Sequence, residues 1–186
     1  MREVLNTILR LMRFSGLTAS VVFWIFTLIS ISFNSWFDFY RDAFSDLGGS
    51  RAFYPWIYNT GLVISSIFIE ALSIHMIIVS RDKLGVVAGS YMSVAGIFLS
   101  LIAVFPAGTR PHVFVSTWFF IQAFIGALLY GLARVREEKI FSTTIFIIFI
   151  LAVVGALIKW PSAATLEAYE IILLTIFSIL YILRVR

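Results

Sequence analysis

Residues 56–80 read WIYNTGLVISSIFIEALSIHMIIVS, an apolar run interrupted by a single carboxylate, Glu70, and a single imidazole, His75. A bilayer core about 30 Å thick takes roughly 20 apolar residues as a helix, because backbone polar groups in hydrocarbon must pair within the segment. This run is long enough to cross. Five more stretches qualify or nearly do so, at residues 15–33, 84–105, 113–132, 140–158 and 163–183. The expectation is an all-α integral membrane protein: one transmembrane domain over residues 1–186, built as a six-helix bundle.

Composition points the same way. Hydrophobic residues make up 61% and charged ones 13%, against roughly 25% charged in soluble domains, so a solvated surface cannot be built. The absence of Cys removes disulfide scaffolds, thiol catalysis and cysteine-ligated metals. Arg2, Arg10 and Arg13 precede the first span, as in a signal peptide. Its apolar run is too long for an h-region and no small-x-small site follows, so it reads as a retained helix. Before it, Val4, Leu5, Ile8, Leu9 and Met12 fall at helical spacing, as in an interfacial lead-in or an extension of the first helix.

Six spans place both termini on one side, with the connectors at 81–83 and 134–139. That side holds Arg2, Arg10, Arg13, Arg81, Lys83, Arg134, Arg136, Lys139, Arg184 and Arg186; the other holds Arg41, Arg51, Arg110 and Lys159. The bias puts both termini in the cytoplasm, in a multi-pass protein of the cell membrane. The net charge of +4 is then an orientation signal. No basic block with interleaved aromatics suggests nucleic acid; the partners to expect are membrane lipids and a small-molecule or lipid ligand.

The unusual residues collect at the external end. In the connector 34–55, Phe37, Tyr40 and Phe44 are spaced as on one face of a short interfacial helix, ended by Gly48-Gly49. Asp46, beside the turn where the chain re-enters the membrane, either caps the backbone amides that follow it or faces a cavity. In Pro106–His112, a stiff corner presents Arg110 and His112; the arginine either binds a phosphate or head group, or pairs with Asp46 or a nearby Glu. Ser162 or Thr165 can cap the sixth span, with Glu167 and Glu170 on one face just inside it. In the second span, Asn59, Ser66 and Glu70 fall within about 40° of one another and form a stripe roughly 16 Å long. An intramembrane carboxylate such as Glu70 marks either a functional site or a protonated side chain bonded to a neighbouring helix; Gln122 is a candidate donor. Gly85, Gly89, Ser93, Gly96 and Ser100 form a small-residue stripe suited to close helix packing. The span at 140–158 is nearly free of polar groups and should face lipid. His75 reads as a packing or snorkelling residue.

Asp46, Asn59, Arg110, His112, Glu167 and Glu170 therefore map near one surface. Asp46, His112, Glu167 and Glu170 are the candidate catalytic groups, and Arg110, Asn59 and Glu70 the candidate substrate-binding ones. A metal held by His112 and carboxylates is open, although no HxxxH or HExxH spacing supports it, and the identity of any cofactor is equally open. Ser45, His112 and Asp46 lack the GxSxG setting of a hydrolase nucleophile.

The segments Ala43-Phe44-Ser45-Asp46-Leu47-Gly48 and Trp56-Ile57-Tyr58-Asn59-Thr60-Gly61-Leu62, with Phe105-Pro106 and then His112, resemble the domain-of-unknown-function 998 family of six-helix membrane proteins. Ser45-Asp46, Asn59 and His112 match the family pattern; Glu70, Glu167 and Glu170 have no assigned place in it. The resemblance implies a distant likeness to eukaryotic six-helix proteins of the DRAM and GPI-anchor lipid-remodelling type, and hence chemistry or binding at a lipid head group. The functional classes left are a lipid- or isoprenoid-directed enzyme with an outward-facing pocket, a small-solute or proton-coupled transporter using Asn59, Ser66 and Glu70, and a structural membrane subunit.

Overall fold

Apolar runs bounded by caps and prolines become helices. The computed structural model describes residues 2–185; Arg186 and the side chains of Arg2 and Leu5, used in the charge and spacing arguments, lie outside what is described. The helices are α1 (Arg2–Met12), α2 (Ser15–Phe33), α3 (Pro55–Val79), α4 (Lys83–Val104), α5 (His112–Ala133), α6 (Lys139–Leu157) and α7 (Ala163–Arg184). No strand occurs among the described residues. α2 to α7 are each long and apolar enough to cross a membrane. α1 is a separate piece, broken from α2 at Arg13-Phe14, and exposes Val4, Ile8 and Leu11.

Local chemistry sets the starts. α3 opens with Pro55 at its first turn, where a missing N–H costs nothing. Asp82 caps α4 by accepting from the Gly85 N–H at 2.7 Å, and Ser162 caps α7 by accepting from the Thr165 N–H at 3.1 Å. Each of α2 to α7 packs on the next, and α7 returns to α2, which closes a ring. The small-residue face of α4 lies on α3: a methyl added at Gly89 would stand 3.1 Å from the Ser73 carbonyl oxygen. Such close approach is what glycine permits in helix pairs. α6 stays peripheral, with Phe146, Ile147, Ile150 and Leu151 exposed on its outer side.

We call the end with α1 and the close of α7 the near face, and the opposite end the far face. The far face differs from expectation. Phe37, Tyr40 and Phe44 do not share a helix; only Phe44–Gly48 is helical, as one 3₁₀ segment. The Asp42 carboxylate accepts from the Asp38 N–H at 2.7 Å and that of Asp38 from the Tyr40 N–H at 2.9 Å. These side chains satisfy amides that a helix would otherwise organise. The result folds Phe44 into the bundle, stacked on Phe37 at 5.9 Å, while Tyr40 stays outside.

Candidate functional site

A cavity of about 70 Å³ lies inside the ring, lined by α2, α3, α4, α5, α7 and the 3₁₀ segment. One ordered water needs only about 10–15 Å³ of such space. Its walls are mostly apolar, including Phe23, Leu62, Ile69, Leu99, Phe119 and Leu174. On α3 the lining residues are Tyr58, Leu62, Ser65 and Ile69, spaced by four, three and four, the repeat of one helix face. α6 contributes nothing to it.

Polar groups mark the far end of the cavity. Glu167, one turn into α7, lines it and accepts from the Phe44 N–H through Oε2 at 2.7 Å. The 3₁₀ segment therefore sits on α7 and presents Ser45, buried, to the same space. Tyr58 completes the group, buried and within electrostatic reach of both Glu167 and Asp46. A carboxylate with one oxygen anchored, a serine and a phenol at the end of an apolar slot can bind a polar head and exchange a proton with it. Deeper, Ser65 donates to the Ala19 carbonyl at 3.1 Å, and Gly16 and Ser178 line the near-face end.

The expected site residues distribute unevenly around this cavity. Asp46 accepts from the Ala43 N–H at 2.8 Å, so it caps the start of its own 3₁₀ segment three residues back and not the amides that follow it. His112, buried, uses Nδ1 toward the Phe105 carbonyl oxygen at 2.8 Å; a carbonyl only accepts, so that nitrogen carries the proton. This bond ties the corner between α4 and α5. Arg110 is exposed and makes no ion pair with Asp46 or any other described residue; the far-face pairs are Arg41 with Asp38 and Arg51 with Asp42. Glu170 is buried beside Glu167 in sequence but does not line the cavity.

The α3 stripe points between helices. Asn59 donates to the Gly48 carbonyl at 3.1 Å and Ser66 to the Val63 carbonyl at 2.7 Å. Glu70 accepts from Ser93 of α4 at 2.7 Å through Oε2, and its buried Oε1 has no hydrogen-bond partner. Ser93, with Ser73 of α3 at 3.5 Å on the same Oε2, and not Gln122, thus donates to Glu70. None of the three stripe residues lines the cavity. Among the described residues no three His, Asp or Glu side chains converge as a metal site would require.

Sequence reasoning passed over Tyr58 and Ser65 as site residues because the lining face of α3 is carried mainly by Leu62 and Ile69, which look like ordinary core. The helical repeat 58, 62, 65, 69 was the available signal. Asn34 was also passed over. Buried to 1% exposure, it donates to the Ser30 and Phe53 carbonyls and accepts from the Phe53 N–H and Trp36 Nε1, closing the base of the 34–54 loop.

No curated protein and no solved structure matches the chain. A family description does, and it covers residues 17–184, from early in α2 to the end of α7, so that nearly all of the ring and every cavity-lining residue except Gly16 lie inside the matched region. The chain belongs to the DUF998 family, described as proteins of unknown function.

Proposed function

We propose that this is a lipid-directed membrane protein that takes a short stretch of one chain of an amphiphile, an acyl or isoprenoid lipid, into the bundle and holds its polar end at Ser45, Tyr58 and Glu167. The observation that carries the reading is the cavity's polarity: apolar walls with a carboxylate, a phenol and a serine gathered at one end. Ligand sites combine an apolar lining with a few placed polar groups in this manner. In this reading the far face is external, because most Lys and Arg lie on the near side. Arg110, unpaired at the mouth of α5, then engages a head-group phosphate.

If the protein is an enzyme, Glu167 is the acid/base group, since its second oxygen is not used by Phe44. Asp46 and His112 assist by holding the 3₁₀ segment and the α4–α5 corner in place, and Glu170 lies behind Glu167 on the same helix. The transport alternative through Asn59, Ser66 and Glu70 has weaker support, because those side chains bond into the α3 surroundings and not into the cavity.

The test is lipid analysis of protein purified in a mild detergent, by native mass spectrometry, comparing wild type with Ser65→Phe. The added ring fills the slot without touching the polar end. Wild type should retain a single-chain or isoprenoid amphiphile at near one-to-one stoichiometry, and the variant should lose most of it. Equal retention in both, or none in wild type, defeats the reading.

A further inference from the structure

A second polar cluster sits at the near face, away from the cavity. His75 of α3 and Tyr181 of α7 pair at 2.6 Å between Nδ1 and Oη, both buried. Tyr130 of α5 lies against Tyr181, its ring centroid 5.3 Å away, and is 1% exposed. Two arginines close around this pair of rings. Arg13, at the α1–α2 break, reaches the Val185 carbonyl through Nη1 at 3.4 Å. Arg134, at the end of α5, has a side chain 17% exposed and pairs with Glu137 through Nη1 at 3.0 Å. Both guanidinium groups lie within electrostatic reach of Tyr181.

Three atoms of this cluster are buried with no hydrogen-bond partner among the described residues: Arg13 Nε, Arg134 Nε and Tyr130 Oη. A guanidinium Nε–H can only donate, and a phenol donates readily. What the cluster lacks is an acceptor. Negative charge is present only at its edge, where Glu137 pairs with Arg134 and Asp82 lies within electrostatic reach of Tyr130; Arg13 has only a carbonyl among the described residues. Buried polar groups in native proteins are almost always paired, so three orphaned donors, one at the α1–α2 break and two at the close of α5, are a specific signal. A tetrahedral oxyanion accepts from donors arriving in different directions, and arginine suits it particularly well. The site also lies near the helix ends on the arginine-rich face. Basic pockets between helix ends on that side are where phospholipid head groups bind.

We propose that Arg13, Tyr130 and Arg134 form a binding site for a phosphate group, floored by the His75–Tyr181 pair, at the near face of the bundle. The phosphate belongs to a lipid head group or to a small soluble ion; the donors are the same for both. The site is distinct from the far-face end of the cavity, and it stands whether or not the cavity takes an amphiphile.

The test uses the full chain, in neutral detergent with inorganic phosphate as probe and in nanodiscs with phosphatidylglycerol titrated into a phosphatidylcholine background. Thermal shift is the readout, with native mass spectrometry counting bound lipid. Tyr130→Phe is the decisive variant, because the hydroxyl it removes has only the Tyr181 hydroxyl beside it. A merely structural tyrosine predicts an unchanged or better-folded protein with unaltered binding. The phosphate site predicts a normally folded protein whose affinity falls about tenfold, the effect of one lost hydrogen bond to a charged group; Arg13→Gln should lose more. A Tyr130-sensitive response to phosphatidylglycerol alone assigns a head group. The same response to inorganic phosphate alone assigns a soluble ion, and response to both assigns a general phosphate site. Binding that Tyr130→Phe and Arg13→Gln leave unchanged, or no binding of either probe to wild type, overturns the proposal.

Discussion

At Glu70 the carboxylate lies between α3 and α4 with one oxygen on Ser93, and the other faces the backbone at Gly96. A methyl built on Gly96 would stand 2.5 Å from Oε1 and 3.1 Å from the carboxyl carbon, so the two positions are complementary in shape as well as polarity. Gly96→Ala should therefore destabilise the protein by about 2 kcal/mol, typical of forced overpacking. In a Glu70→Ala background the same change should cost little, because the colliding group is gone. Melting of the two single variants and the double variant in detergent measures the coupling; additive effects would mean that Glu70 points elsewhere. The α3 polar stripe was legible in the sequence, as was the small-residue stripe on α4. Their contact was not, since a period of 3.6 fixes which residues share a face and leaves open which helix that face meets.

At the level of elements, the long apolar runs announce themselves, and α2 to α7 follow the hydropathy closely. The 34–54 connector does not. Its aromatic spacing reads as a helix, yet Asp38 and Asp42 bond to nearby amides and leave only a 3₁₀ segment. The small size of that segment makes its caps matter. Asp46 holds the Ala43 N–H and Glu167 the next amide, that of Phe44, so two carboxylates anchor consecutive residues from different elements. Asp46→Ala should loosen the segment by about 1 kcal/mol, the usual worth of a lost cap. That corresponds to about fivefold faster hydrogen exchange at Ala43, with the amides of α3 and α7 unaffected. Exchange that rises across α7 as well would make Asp46 part of the bundle's global stability. Glu167 was legible as an unusual acid one turn inside a span; its bond to Phe44 was not, because the two lie far apart in the chain and meet only when the ring closes.

For the whole molecule, closure of α7 onto α2 creates the cavity, and its lining draws on five helices whose individual faces look like core. Ring closure also fixes the topology that orientation depends on. With an even number of spans, α1 and the end of α7 share a face, and the connectors at 80–82 and 134–138 join them there. The basic residues of that face include Arg13 and Arg134 of the phosphate cluster, so orientation and the near-face site make linked claims. If the near face is cytoplasmic, the phosphate donors meet the inner leaflet and the Glu167 end of the cavity meets the outer one. The absence of native Cys makes this directly measurable, since any introduced thiol is the only one. Thr109→Cys lies in the exposed far-face corner and Arg136→Cys in the exposed near-face connector. In intact cells, a membrane-impermeant maleimide should label position 109 and spare position 136, and permeabilised cells should label both. The reverse pattern would turn the bundle over, placing the amphiphile's polar end in the inner leaflet and the phosphate cluster in the outer one. Both sites would keep their chemistry and exchange the lipids available to them.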